Sequence, residues 1–264
     1  MAGLRTSWRV SRLLSRARGL LTHGKVTEAE PLCQEAVALA PQSAQAWVYL
    51  SWAYIDLKRA AEALEACDRA LSLDPHNDWA WKNKGMALNQ LKRYEEALEA
   101  AAHVSASSGE LAQRAGWVRM GALSQLRRFD ALYDEPEQLL LRNPTHSYNW
   151  NWLGEALLHL KRYDEALSMY TKSIELAPRD NGGWRGKAMA LSCLKRCSEA
   201  HELCDRILAS APNDMDIWRA KALCLLEERR FPEAIVVYDR ILASSHVLRA
   251  DHLNNGVALL RAGR

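Results

Sequence analysis

Apolar positions recur along this chain with the 3.6-residue period of helices, in blocks of nearly constant length. In residues 147–180, Trp150, Leu153, Leu157 and Leu158 form one apolar stripe, and Ala166, Leu167, Tyr170 and Ile174 form a second. The stretch HLKRYDE between them is polar and turn-like. Each block therefore predicts two antiparallel helices of about 12–14 residues joined by a short turn. The block repeats. Tryptophans fall at Trp47, Trp81, Trp117, Trp150, Trp184 and Trp218, with separations of 34, 36, 33, 34 and 34. Ala29, Ala63, Ala97, Ala166, Ala200 and Ala234 hold a second place in the unit, and Pro41, Pro75, Pro144, Pro178 and Pro212 a third. A basic pair marks the middle of the unit at 58–59, 92–93, 127–128, 161–162, 195–196 and 229–230.

Four markers in one phase predict a stacked array of helical hairpins, with units at 10–43, 44–77, 78–111, 114–146, 147–180, 181–214 and 215–248 and a lone helix over 249–264. Gly85, Gly121, Gly154 and Ala188 are small where the first helix of a pair is expected to meet the recurrent alanine of the second. The proline is expected to end the second helix, because it lacks an amide proton and clashes with the preceding turn.

These residues resemble the tetratricopeptide repeat family over 10–264. Its pattern places Trp, Leu, Gly and Tyr on the first helix, then Ala, an aromatic, Ala and Pro on the second. Unit 147–180 carries Trp150, Leu153, Gly154, Ala166, Tyr170 and Pro178; unit 44–77 carries Trp47, Leu50, Tyr54, Ala63, Ala70 and Pro75. The resemblance implies an all-α, right-handed α-solenoid of about seven units plus a terminal helix. It also implies a protein that binds other proteins rather than an enzyme.

In that family the first helices line a concave groove. Carried onto this chain, the groove residues are Tyr49, Trp52, Trp79, Lys82, Asn83, Arg119, Tyr148, Asn151, Trp152, Arg185 and Arg219. Gly186 and Met189 are further inward places. Among the inward positions the cations Lys82, Arg119, Arg185 and Arg219 outnumber the acids Glu155 and Asp216, whereas second helices carry acids such as Glu95, Glu96, Glu99, Asp164 and Glu165. Amide, guanidinium and aromatic groups together suit an extended, acidic peptide. An exposed helix needs polar residues in any case, and the tryptophans could be buried between units. The two-carboxylate clamp of the family's chaperone-binding members is not matched. Lys82 fits its first place, but Met86, Arg119, Tyr148 and Trp152 stand where Asn, Asn, Lys and Arg are needed.

Two regions break the pattern. Over 103–146, HVSASSGE replaces the usual helix end and proline, Leu132 takes the alanine place, and Pro136 falls within the second helix. A late, shortened helix through EQLLLR, capped from Asp134 and Glu137, is expected there. The stretch is an irregular joint, either a tolerated defect or a bend that shapes the groove. At the C-terminus, Leu253, Val257, Leu259 and Leu260 make the last helix more apolar than a solvating cap. That favours a chain continuing into a longer protein, in which this array would be the regulatory or sensor part of an enzyme or signalling protein.

Composition adds limits rather than chemistry. Apolar residues make up 48% and charged ones 25% of 264 residues, as in ordinary folded proteins. A net charge of +3 is too small to argue for nucleic acid. Apolar runs are too short to span a bilayer, so no membrane partner is expected. The N-terminal arginines between 5 and 18 read as the solvated face of a capping helix, with a targeting segment or an anionic-membrane contact as the competing readings. Six scattered cysteines read as reduced, buried thiols of a cytoplasmic protein. Cys193, Cys197, His201 and Cys204 have ligand chemistry for zinc. The turn expected at about 194–197 separates Cys193 from the others, so they are expected to be structural. No phosphate-binding loop, metalloprotease motif or catalytic triad is legible, and no cofactor is expected.

Overall fold

The computed structural model describes residues 2–105, 109–244 and 247–263. Within them the chain is all-α, with fifteen helices and no strand. They are α1 (Ala2–Thr22), α2 (Val26–Leu39), α3 (Ala44–Asp56), α4 (Ala60–Leu73), α5 (Asp78–Gln90), α6 (Tyr94–Ala102), α7 (Glu110–Gln125), α8 (Phe129–Arg142), α9 (Ser147–His159), α10 (Tyr163–Leu176), α11 (Asn181–Cys193), α12 (Cys197–Ser210), α13 (Met215–Glu227), α14 (Phe231–Leu242) and α15 (Arg249–Arg261). Contacts divide the chain into two compact units, Met1–Arg128 and Phe129–Arg264. In unit 1, α1, α3, α5 and α7 pack successively on one another, and α2, α4 and α6 pack against them. In unit 2, α9, α11 and α13 form the corresponding layer, against α10, α12 and α14.

The repeat markers have identifiable physical duties. Every recurrent alanine is fully buried, as is Leu132 in the alanine place. The indole N–H of Trp47, Trp81, Trp150, Trp184 and Trp218 donates to the carbonyl of the proline six residues earlier, at 2.7–2.9 Å. Each tryptophan thus fastens the start of a first helix to the loop before it. The proline marks the helix end from a short distance: α2, α4, α8, α10 and α12 each stop two residues before it. The residue preceding a proline is held out of the helical region, which ends the helix early. Two residues after the proline, Ser43, Asn77, Asp180 and Asp214 cap the next helix through their side chains.

The basic pair builds the turn. Lys58, Lys92, Arg127, Lys161, Lys195 and Arg229 all adopt left-handed φ of 58–62°. The next amide then reaches back five residues, as in Arg59 N–H to the Tyr54 carbonyl at 2.9 Å, closing the helix with a Schellman-type bond. The second basic residue faces the helix it introduces. Arg93, Arg162, Arg196 and Arg230 each hold the glutamate three residues on, at 2.6–2.7 Å, and Arg59 holds Glu62 in the same way.

Two expectations fail locally. The second helix of the irregular stretch is neither late nor short. α8 starts at Phe129 and runs fourteen residues straight through Pro136. Leu132, Pro136 and Leu139 form one buried stripe at i, i+4 and i+7, and that burial outweighs the backbone bond which proline cannot make. Residues 106–108 of the segment before α7 lie outside the described residues. The small-residue rule is also less uniform than expected. Gly85 does face the partner helix, where a Cβ would stand 3.4 Å from the Ala97 carbonyl and 2.8 Å from Val118. Gly154, however, makes room for the Tyr170 ring, and a Cβ at Gly121 would meet only Asn89.

Candidate functional site

In unit 1 the first-helix layer brings Tyr49 and Trp52 of α3 next to Trp79, Lys82 and Asn83 of α5. The indoles of Trp52 and Trp79 lie nearly parallel, 16° apart with centroids 6.4 Å from each other. The Lys82 ammonium sits 5.2 Å from the centre of the Trp79 ring, a cation–π contact. Lys82 is only 4% exposed, and among the described residues no acceptor is hydrogen-bonded or ion-paired to it. Burial pulls its pKa down to about 8, and the nearby Arg114 guanidinium pushes the same way. Asp56, close by, receives the Trp52 indole N–H, and burial holds its carboxyl above the usual range.

Asn83 has a different duty from the one expected. It is 1% exposed and donates through Nδ2 to the Val48 carbonyl at 3.2 Å and to Ser51 Oγ at 2.9 Å. Its amide ties α5 to α3 inside the protein and is not offered to a ligand. Arg119 is half-buried on α7 and donates to the Ala101 carbonyl at 3.2 Å.

In unit 2, Tyr148 and Trp152 of α9 meet edge to face, with centroids 5.9 Å apart. Burial raises the Tyr148 pKa, against the Trp152 indole N–H beside its hydroxyl. Asn151 lies against Gly182 of α11, where a Cβ would come within 3.0 Å of its amide nitrogen. Gly186 is not an open groove position, because a Cβ there would overlap the Tyr170 ring.

The two arginines of unit 2 are already neutralised. Arg185 Nε lies 3.1 Å from Asp214 and its Nη1 3.7 Å from Asp216. Arg219 holds Asp251 of α15 through both Nε and Nη2 at 3.0 Å, and Asp216 through Nη1 at 2.8 Å. The excess of inward cations expected from the sequence therefore does not extend to these two. Asp214 and Asp251, which reasoning along the chain missed, supply the balancing charge. The visible hint for Asp214 was its place two residues after Pro212, where other units put a capping Ser, Asn or Asp.

The cysteines are core residues. Cys33, Cys67 and Cys204 are fully buried, and desolvation pushes each thiol up to about 12. Cys193 ends α11, whereas Cys197 and Cys204 lie on α12 and His201 turns to Glu228 at 3.1 Å. Among the described residues no group of three His, Cys, Asp or Glu side chains is placed to share a metal ion. Among those residues, too, no helix is long and apolar enough to cross a membrane.

Solved structures share this architecture. A tetratricopeptide repeat protein from Parabacteroides merdae superposes with a TM-score of 0.72 at 15% identity, over 96% of this chain and 99% of that one. The APC/C hetero-tetramer Cut9–Hcn1 gives 0.78 at 17% identity, over 92% of this chain and 48% of that one. PilF from Pseudomonas aeruginosa gives 0.70 at 17% identity, over 82% and 98%. At such identities the likeness speaks for the fold. No curated protein matches the chain significantly. Three family models, each described as tetratricopeptide repeat, match residues 14–78 and 186–246, residues 147–180, and residues 58–112. With its tryptophan, alanine and proline beat on paired helices and these matches over most of its length, the chain belongs to the tetratricopeptide repeat family.

Proposed function

We propose that the protein is an interaction scaffold that holds an extended, acidic peptide of a partner protein along the first-helix layer of unit 1. Tyr49, Trp52, Trp79, Lys82 and Arg119 are the contact residues. The observation that carries this reading is Lys82, an ammonium almost withdrawn from water that makes no hydrogen bond or ion pair among the described residues and has Asp56 only as a counter-charge beyond ion-pair distance. Burying a charge in that state is costly. An incoming carboxylate turns the cost into a charge-assisted hydrogen bond, while the parallel indoles cover the neighbouring apolar side chains of the peptide. Tyr148, Asn151 and Trp152 belong to the first-helix layer of unit 2, and no contact with this peptide is assigned to them. Arg185 and Arg219 serve their own ion pairs first. The family's general role in binding proteins supports the scaffold reading, and no reaction is assigned to the chain.

The test uses a fluorescein-labelled peptide of glutamate and leucine interrupted by prolines, so that it cannot form a helix. Fluorescence polarisation should report binding that Lys82→Met and Trp79→Ala each weaken tenfold or more, with circular dichroism unchanged. A counterpart with lysine for glutamate should not bind. Equal binding of both peptides, or indifference to both substitutions, rules the reading out.

A further inference from the structure

Unit 2 carries a second surface, unrelated to the peptide face of unit 1. On α15, Leu253, Val257 and Leu260 are 69%, 41% and 79% exposed. They stand at i, i+4 and i+7, so they form a single apolar seam along two helical turns. Gly256 lies between them with open space where a side chain would be. A backbone can therefore approach closely at the middle of the seam. The seam opens at Val257 into a recess of about 680 Å³, lined also by Leu223, Leu226 and Phe231. Exposed apolar rows joined to a recess are uncommon on soluble proteins except where something docks.

We propose that this surface binds an amphipathic helix of another protein, with leucine-like residues at helical spacing and acids beside them. The occupant is a helix because Leu253, Val257 and Leu260 offer only apolar surface, the recess hydroxyl of Ser192 is spent on the Ala188 and Ala220 carbonyls, and the recess amide of Asn254 lies against the Tyr238 hydroxyl, which leaves little to hold an extended backbone. The occupant must therefore satisfy its own peptide groups. It is acidic because the recess is also lined by Arg229 and Arg261, neither of which is paired with an acid among the described residues. The acid nearby, Glu227, is already held by Lys195 at 3.0 Å. The same charge argument turns away a second copy docking through α1. The exposed side of that helix presents Arg12 and Arg16, which would oppose Arg229 and Arg261.

The probe is a labelled 20-residue peptide of alanine and glutamate bearing leucines at i, i+3, i+4 and i+7. The full chain should bind it with a micromolar dissociation constant in fluorescence polarisation. The double variant Leu253→Glu, Leu260→Glu should weaken binding tenfold or more. Both positions are exposed, so the fold is expected to survive, and circular dichroism checks this. Arg229→Glu with Arg261→Glu should weaken it comparably, whereas Lys82→Met should leave it unchanged. That last variant separates failure here from failure of the unit 1 reading. Undiminished binding to the leucine-seam variant overturns the proposal. Equal binding of a proline-broken probe overturns the helical occupant. A dimer in sedimentation that the seam variant dissolves, without any probe binding, assigns the surface to a second copy instead.

Discussion

Lys161 occupies a backbone conformation that glycine adopts more easily. Its φ is 62°, and the left-handed region costs a residue with a Cβ roughly 1–2 kcal/mol. Glycine takes that place after α1 and after α15, Gly24 at φ 71° and Gly263 at φ 76°. Lys161→Gly removes that strain, while the extra freedom of glycine in the unfolded chain returns roughly 0.5–1 kcal/mol of it. The net expectation is a gain of about 0.5–1 kcal/mol in urea unfolding, and a loss of stability would refute the strain argument. Lys82 predicts a pH dependence of opposite character. Below about pH 8 its ammonium is charged in both the folded and unfolded states, and folding must desolvate it. Between about 8 and the ordinary lysine value of 10.5 the unfolded chain keeps a proton that the folded one has released. Stability linked to this group therefore rises with pH across that window, by roughly 3 kcal/mol at most. Lys82→Met should be more stable than the natural chain at pH 7, with the difference shrinking toward pH 10.5. A difference that does not change with pH would mean that Lys82 is better solvated than its burial indicates.

At the scale of elements, α15 is joined to α13 by a buried ion pair and to α13 and α14 by an apolar cluster that includes Ala258, Leu259 and Ala262. Asp251 is 2% exposed; it accepts from Arg219 and, at 2.8 Å, from the Leu248 amide at the helix start. Asp251→Asn leaves the guanidinium with Asp216 alone and should cost about 3 kcal/mol, the scale of breaking a buried pair from one side. Native-state hydrogen exchange should register this as faster exchange through α15, with α9 and α10 unchanged. Unaltered protection of α15 would place its anchorage in the apolar contacts instead. Helices of this kind were legible in the sequence because apolar period, proline and basic pair all mark the same boundaries. α8 was misread because a rule about one residue, Pro136, was weighed without the buried stripe around it. Asn83 and Arg219 were misassigned for a related reason. Their partners are 32 or more residues away, on a neighbouring pair of helices, and the spacing within one unit says nothing of how that neighbour is turned. Burial of Lys82 escaped notice on the same ground, although its place on the first-helix layer had been recognised.

For the molecule as a whole, the relevant fact is that stacked repeats are stabilised by nearest neighbours. Contacts cluster into the units Met1–Arg128 and Phe129–Arg264, so stability should be shared within each and weakly between them. Ala97 offers a clean perturbation. It is fully buried, its carbonyl lies 3.4 Å from where a Cβ on Gly85 would be, and a larger side chain must push α6 away from α5. Ala97→Leu should cost about 1–3 kcal/mol by overpacking. If each unit is its own cooperative body, amide exchange should accelerate together through α3 to α7, while α9 to α14 keep their protection. Calorimetry should then resolve the lower-melting unit from the other. Uniform acceleration across all helices, with one melting step, would mean that the array is cooperative from end to end. In that case the peptide face of unit 1 and the seam on α15 would be energetically linked, and ligands of the two surfaces should raise each other's affinity by equal factors.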